Sequence, residues 1–140
     1  MNEQDNVALI SEIYTAFNAG NIQTILDSIT DDVVWINYGP ATIPYAGARS
    51  GKAQVLQFFQ AIAGSTTGGH VTSEAYIAQG DIVVSIGRYS ATVTSTGATI
   101  DAPIAHVFTV QNGKVSQWVG HSDTAAIAAA HTGAAAAAGN

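Results

Sequence analysis

The chain of 140 residues contains no cysteine. That excludes disulfides, zinc–thiolate sites, iron–sulfur clusters and thiol nucleophiles. Basic side chains are nearly as scarce, four Lys and Arg against ten Asp and Glu, for a formal charge of −6. Arg49, Lys52, Arg88 and Lys114 are also scattered, whereas neutralising phosphates takes clustered cations. A nucleic-acid partner is therefore not expected. No apolar run approaches the roughly 18 residues of a membrane span, so no membrane association is expected. The start, Met1 to Asn6, is polar and acidic, without the pattern of a secretory signal, and a cytoplasmic location is the expectation. Charged residues make up only 10% of the chain, against roughly a quarter in an average soluble protein. Each ionisable group can thus be weighed on its own.

What the chain does have is apolar patterning, 47% of its residues, enough to build one core at a length typical of a single domain. Val7, Ile10, Tyr14 and Phe17 recur at helical steps, and Gly20 is placed to end that helix. Asn21 can cap a shorter helix carrying Ile22, Ile25, Leu26 and Ile29. Asp31-Asp32 ends it, and Val33 to Ile36 reads as a strand. Gly39, Pro40, Pro44 and Gly47 mark an irregular stretch. A third helix is expected from a Ser50 cap, with Val55, Phe58, Phe59 and Ile62 on one face and Gly64, Gly68 and Gly69 closing it.

The remainder reads as a β-meander with strands near 70–79, 82–94, 98–111 and 114–122. Gly80-Asp81, Thr96-Gly97 and Asn112-Gly113 separate them, and Asn-Gly is a strong hairpin signal. Strands this long exceed the usual five or six residues and predict a large, curved sheet. Helices followed by antiparallel strands give an α+β domain with the helices on one sheet face. We expect a single domain over residues 1–131. A short helix capped by Asp123 or Ser122 ends it, and residues 132–140 form an alanine-rich tail that frays.

The run Tyr14-Thr-Ala-Phe-Asn-Ala-Gly20-Asn-Ile, then Asp31-Asp32-Val-Val-Trp35, resembles the nuclear transport factor 2-like superfamily. More narrowly, it is similar to SnoaL-like polyketide cyclases, ketosteroid isomerases and limonene-type epoxide hydrolases. His106-Val-Phe-Thr109, Asn112-Gly-Lys-Val115 and Trp118 support the same match. The resemblance covers about residues 5–131. It implies a cone, a curved antiparallel sheet wrapped on the N-terminal helices around an apolar pocket, and usually a homodimer. It does not fix a chemistry, because this fold hosts many.

Each chemistry can be tested on residues. Tyr14 matches the oxyanion tyrosine of the ketosteroid isomerases, but their base falls on Asn37, an amide that takes no proton at neutral pH. Their second oxyanion group falls on Ala105. The epoxide hydrolases resemble this chain at Trp35, Asn37, Trp118 and Asp123, yet their Arg-x-Asp acid falls on Gly87 and Tyr89, with Arg88 facing away. Gly120 stands where the cyclases carry an aspartate. The polar groups that remain as catalytic candidates are Tyr14 as donor, Asn37 as positioner and Asp123 as base. Asp123 also reads as a plain helix cap. Trp35, Phe58 and Trp118 are the candidate ligand walls, and core packing explains them as well.

Asp101 shares strand parity with Ala105 and is the other carboxylate that could face the pocket; a solvated strand edge is its simpler reading. His106 is expected on the opposite face, buried against a second subunit. His121 and Asp123 could form a base–orienter pair. No grouping of histidines and carboxylates meets metal-ligand spacing, and no glycine-rich phosphate loop is present, so neither metal nor cofactor is expected. The function expected is binding of a small, neutral, hydrophobic compound, with acid–base isomerase, cyclase or hydrolase chemistry as an extension. The alternative is a non-catalytic binding or dimerisation module.

Overall fold

The computed structural model describes residues 2–133; the alanine run of the expected tail, residues 134–138, lies outside them. Helix α1 (Glu3–Asn18) starts at Asn2, whose side chain accepts from the Asp5 amide at 2.8 Å. The Asp5 carboxylate accepts from the Asn2 amide in return, at 3.2 Å. Two amides that a helix start leaves unpaired are thereby satisfied. Ile10, Ile13, Tyr14 and Ala16 form the buried stripe of α1. At its end the Asn18 side chain pairs with both backbone groups of Val71, at 2.8 and 2.9 Å, which fixes the helix to the sheet. Asn21 caps α2 (Ile22–Asp27) as the sequence predicts.

There follow β1 (Ile29–Asn37), β2 (Gly47–Ser50), α3 (Lys52–Ser65), β3 (Thr66–Gln79), β4 (Ile82–Val93), β5 (Thr99–Gln111), β6 (Lys114–Ser122) and α4 (Thr124–Thr132). The strands make one curved, unclosed sheet in the order β2-β1-β6-β5-β4-β3. Strands β3 to β6 form the expected antiparallel meander, while β1 pairs in parallel with β6. Among the described residues no helix is long and apolar enough to cross a membrane.

Several boundaries differ from the sequence reading. Strand β1 begins at Ile29, and the exposed Asp31 and Asp32 lie inside it, next to a shift in its register with β6. Ser50 does not cap α3: it ends β2, and Gly51 takes the cap position. Gly68 and Gly69 do not close α3 but belong to β3, where the register shifts between Thr67 and His70. Gly68 has a φ of 67°, so the bulge sits where the backbone has no Cβ to strain.

The inner sheet face packs on α1 and α3. On β5 the even-numbered Ile100, Ala102, Ile104, Phe108 and Val110 are buried, as are Val83, Ser85 and Tyr89 on β4. Burying each large apolar side chain contributes roughly 1.5–3 kcal/mol. The outer face carries exposed Ile77, Ile82 and Ile86, and on it Arg88 donates to Asp101 at 2.8 Å.

Candidate functional site

Between the helices and the inner sheet face lies a cavity of about 90 Å³. Helix α1 supplies Tyr14 and Phe17, β1 supplies Trp35 and Asn37, α3 supplies Phe58 and Phe59, β5 supplies His106 and Phe108, and β6 supplies Trp118. None of the lining residues is an acid, lysine or arginine.

The aromatic candidates come together as one wall. Trp35 stacks on Trp118 with centroids 4.7 Å apart, and Phe58 stands edge-on to Trp35 at 5.8 Å and tilted to Trp118 at 5.5 Å. Such contacts add to what burial alone contributes. Asn37 reaches the rim of this wall and donates through Nδ2 to the Tyr45 carbonyl at 3.3 Å. Its Oδ1 lies over Gly120, where a Cβ would sit 3.0 Å away.

The polar centre of the cavity joins α1 to β5. The Tyr14 hydroxyl lies 2.8 Å from Nδ1 of His106. Burial raises the Tyr14 pKa; the facing Ser85 hydroxyl offsets part of that, and Tyr76 adds to it. Burial likewise lowers His106 from 6.5 to about 3, with nearby His121 pushing the same way. Both shifts have one physical cause, an apolar enclosure that disfavours the charged form. Both groups are therefore neutral near pH 7.

His106 sits on the face opposite to the one the sequence reading gave it. It belongs with Ile104 and Phe108 inside, and Ala105 lies outside. Both faces of β5 are apolar, and a one-residue misassignment exchanges them. A usable signal was side-chain size: Ile100, Ile104 and Phe108 share parity with His106, against Asp101, Pro103 and Ala105. Asp101 is exposed and paired with Arg88.

Asp123 is exposed, caps α4 by accepting from the Ala126 amide at 3.1 Å, and is not among the lining residues. The space that a cyclase-type aspartate would use is filled. A Cβ at Gly120 would fall 2.5 Å from the Trp118 indole, closer than packed atoms allow.

Three further tyrosines, Tyr38, Tyr45 and Tyr89, line the cavity. The Tyr45 hydroxyl lies 2.9 Å from Nε2 of His131, at the end of α4. Burial raises the pKa of Tyr45, and Tyr89 adds to the shift. The Tyr89 hydroxyl is buried without a hydrogen bond of good geometry, although Thr66 and Tyr45 are its polar neighbours. The Trp35 indole nitrogen is also buried and unpartnered. Among the described residues, no three side chains are grouped to hold a metal ion.

Comparison with known proteins agrees with this architecture. No curated protein matches the chain in sequence. An NTF2-like protein of unknown function from Burkholderia pseudomallei superposes with a TM-score of 0.86 at 22% identity, over 94% of this chain and 99% of that one. TerC, co-crystallised with polyporic acid, gives 0.84 at 25% identity, over 91% and 98%. A proposed SnoaL-like polyketide cyclase from Jannaschia gives 0.81 at 20% identity, over 93% of each chain. The SnoaL-like domain family matches residues 10–118, and this chain belongs to that family.

Proposed function

We propose that this chain binds a neutral, largely apolar small molecule in the cavity, against the wall of Trp35, Phe58 and Trp118, with the Tyr14–His106 pair as the main polar contact and Asn37 at the rim. The observation that carries this is the lining itself, which offers hydroxyls, an amide and a neutral imidazole but no charge. An ionised ligand would lose its hydration and meet no counter-charge, a cost of several kcal/mol. The similarity to TerC, a structure holding polyporic acid, is consistent with a small-molecule pocket.

Binding without turnover is the better-supported form of this reading. Proton abstraction needs a base poised near neutral pH, and His106, lowered to about 3, is too weak. Asp123 could serve only by leaving the helix end it caps. The test is calorimetric titration with indane and with indane-2-carboxylate. Indane should bind, and the carboxylate should bind at least about a hundredfold more weakly; equal affinity would overturn the proposal. With it goes a cytoplasmic location, in keeping with the absence of cysteine.

A second copy of the chain is proposed as partner for the outer sheet face. Ile77, Val84, Val107 and Val119 follow one another in register across β3, β4, β5 and β6, and Ile77 and Ile86 are 56% and 43% exposed. An apolar row of this kind marks an association surface. Light scattering should give a dimer for the native chain and a monomer for Ile86→Lys; a native monomer at micromolar concentration would sink the idea.

A further inference from the structure

We infer that His106 carries its single proton on Nε2 and presents it to the cavity, so that the ligand meets it with an acceptor oxygen, as a ketone, aldehyde, ether or alcohol can and a plain hydrocarbon cannot. This rests on the proposed small-molecule function and names the class of ligand.

The Tyr14 hydroxyl and Nδ1 of His106 are in hydrogen-bond contact at 2.8 Å. One hydrogen lies between the two atoms, and a neutral imidazole has one nitrogen of each kind. A phenol is the stronger acid of the pair, and an imidazole nitrogen is a far better acceptor than a phenol oxygen. Tyr14 therefore donates and Nδ1 accepts, which leaves the imidazole hydrogen on Nε2. Ser85, wholly buried and directly across the ladder from His106, faces the phenol. Its oxygen lies 2.9 Å from that of Ser73. A hydrogen from Ser85 on the phenol oxygen strengthens the donation by polarising the chain. Burial holds His106 neutral near pH 7, so the choice is between two neutral tautomers only.

The surroundings of Nε2 complete the case. His106 lines the cavity, and among the described residues Nε2 forms no hydrogen bond and is not one of the buried unpartnered atoms. It is thus open to the cavity. The His106 ring has Trp118 edge-on at 4.9 Å and Phe108 at 6.2 Å, centroid to centroid, and Ser122 on the adjacent strand lines the same cavity. Asn37 lies across the Gly120 register, with the Trp118 ring over that glycine. A ligand without an acceptor would leave the Nε2 hydrogen facing these rings, the penalty of a buried unpaired donor. A ligand oxygen removes that penalty. The family's oxyanion tyrosine is thereby spent on the histidine, which takes over contact with the ligand, and Tyr14 is a positioning residue.

Two measurements on the full chain decide this. Nitrogen-15 NMR of the imidazole at neutral pH should show hydrogen on Nε2 of His106, and Tyr14→Phe should abolish that preference. Titrations with 1-indanone, 1-indanol and indane, similar in shape, should rank the ketone and the alcohol about tenfold tighter than indane. Hydrogen on Nδ1, or indane binding as tightly as the ketone, would overturn the inference. If none of the three compounds binds, the small-molecule reading fails instead, while the NMR result still decides the tautomer.

Discussion

Two tyrosine–histidine pairs flank the same cavity and differ in almost everything except chemistry. Tyr14 and His106, 2.8 Å apart, link α1 to a central strand. Tyr45 and His131, 2.9 Å apart, link the irregular segment after β1 to the last helix. The first pair is fixed by strands on both sides, and burial takes its histidine to about 3. The second joins the buried Tyr45 to a half-buried His131; α4 has only Ile127 and Ala130 buried, and His131 is lowered by partial burial alone. The same hydrogen bond is thus part of a rigid polar centre in one place and a tie across a weakly packed end in the other. Surroundings, not residue identity, decide which pair forms the uncharged polar centre of the cavity.

The largest contrast should come from truncation. His106→Ala removes a packed ring and strands the Tyr14 hydroxyl, and should cost about 3 kcal/mol in urea unfolding. His131→Ala should cost about 1 kcal/mol, since water can replace the half-buried ring. Equal costs would break the distinction. A middle-sized effect concerns pH. The folded chain refuses His106 a proton that the unfolded chain accepts near 6.5, so its contribution is complete above pH 6.5. That contribution is lost as pH falls from 6.5 toward about 3. Unfolding stability should rise with pH through that window, and His106→Gln should flatten the slope. His131 acts in the same direction more weakly. The smallest effect should be Thr96→Val, which removes the 2.7 Å bond from the Thr96 hydroxyl to the Ala130 carbonyl. It should cost about 1 kcal/mol or less and speed amide exchange in α4 but not in β5.

Much of this architecture was legible in the sequence, for local reasons. The α1 stripe follows from helical spacing, and the Asn112-Gly113 turn has both φ values positive, at 51° and 77°, as its composition predicts. The parallel pairing of β1 with β6 was not legible, because some eighty residues separate the strands and no local pattern encodes such a contact. The site was legible in its aromatic part: Trp35, Phe58 and Trp118 are large residues on the buried parity of their elements. Its polar centre was not, because β5 is apolar on both faces and a single-residue slip hides His106. Asp123 illustrates the converse. Its place before a helix already suggested a cap, and a residue spent on a helix end is not poised in a pocket.

The cavity's character depends on its being uncharged and organised on a neutral His106. Proton NMR of the four histidine rings against pH is the sharpest experiment. His106 should show no titration between about pH 8 and pH 5, while a solvated histidine titrates near 6.5. A His106 midpoint near 6.5 would mean that water and charge reach it freely and that it is not the neutral centre of the cavity.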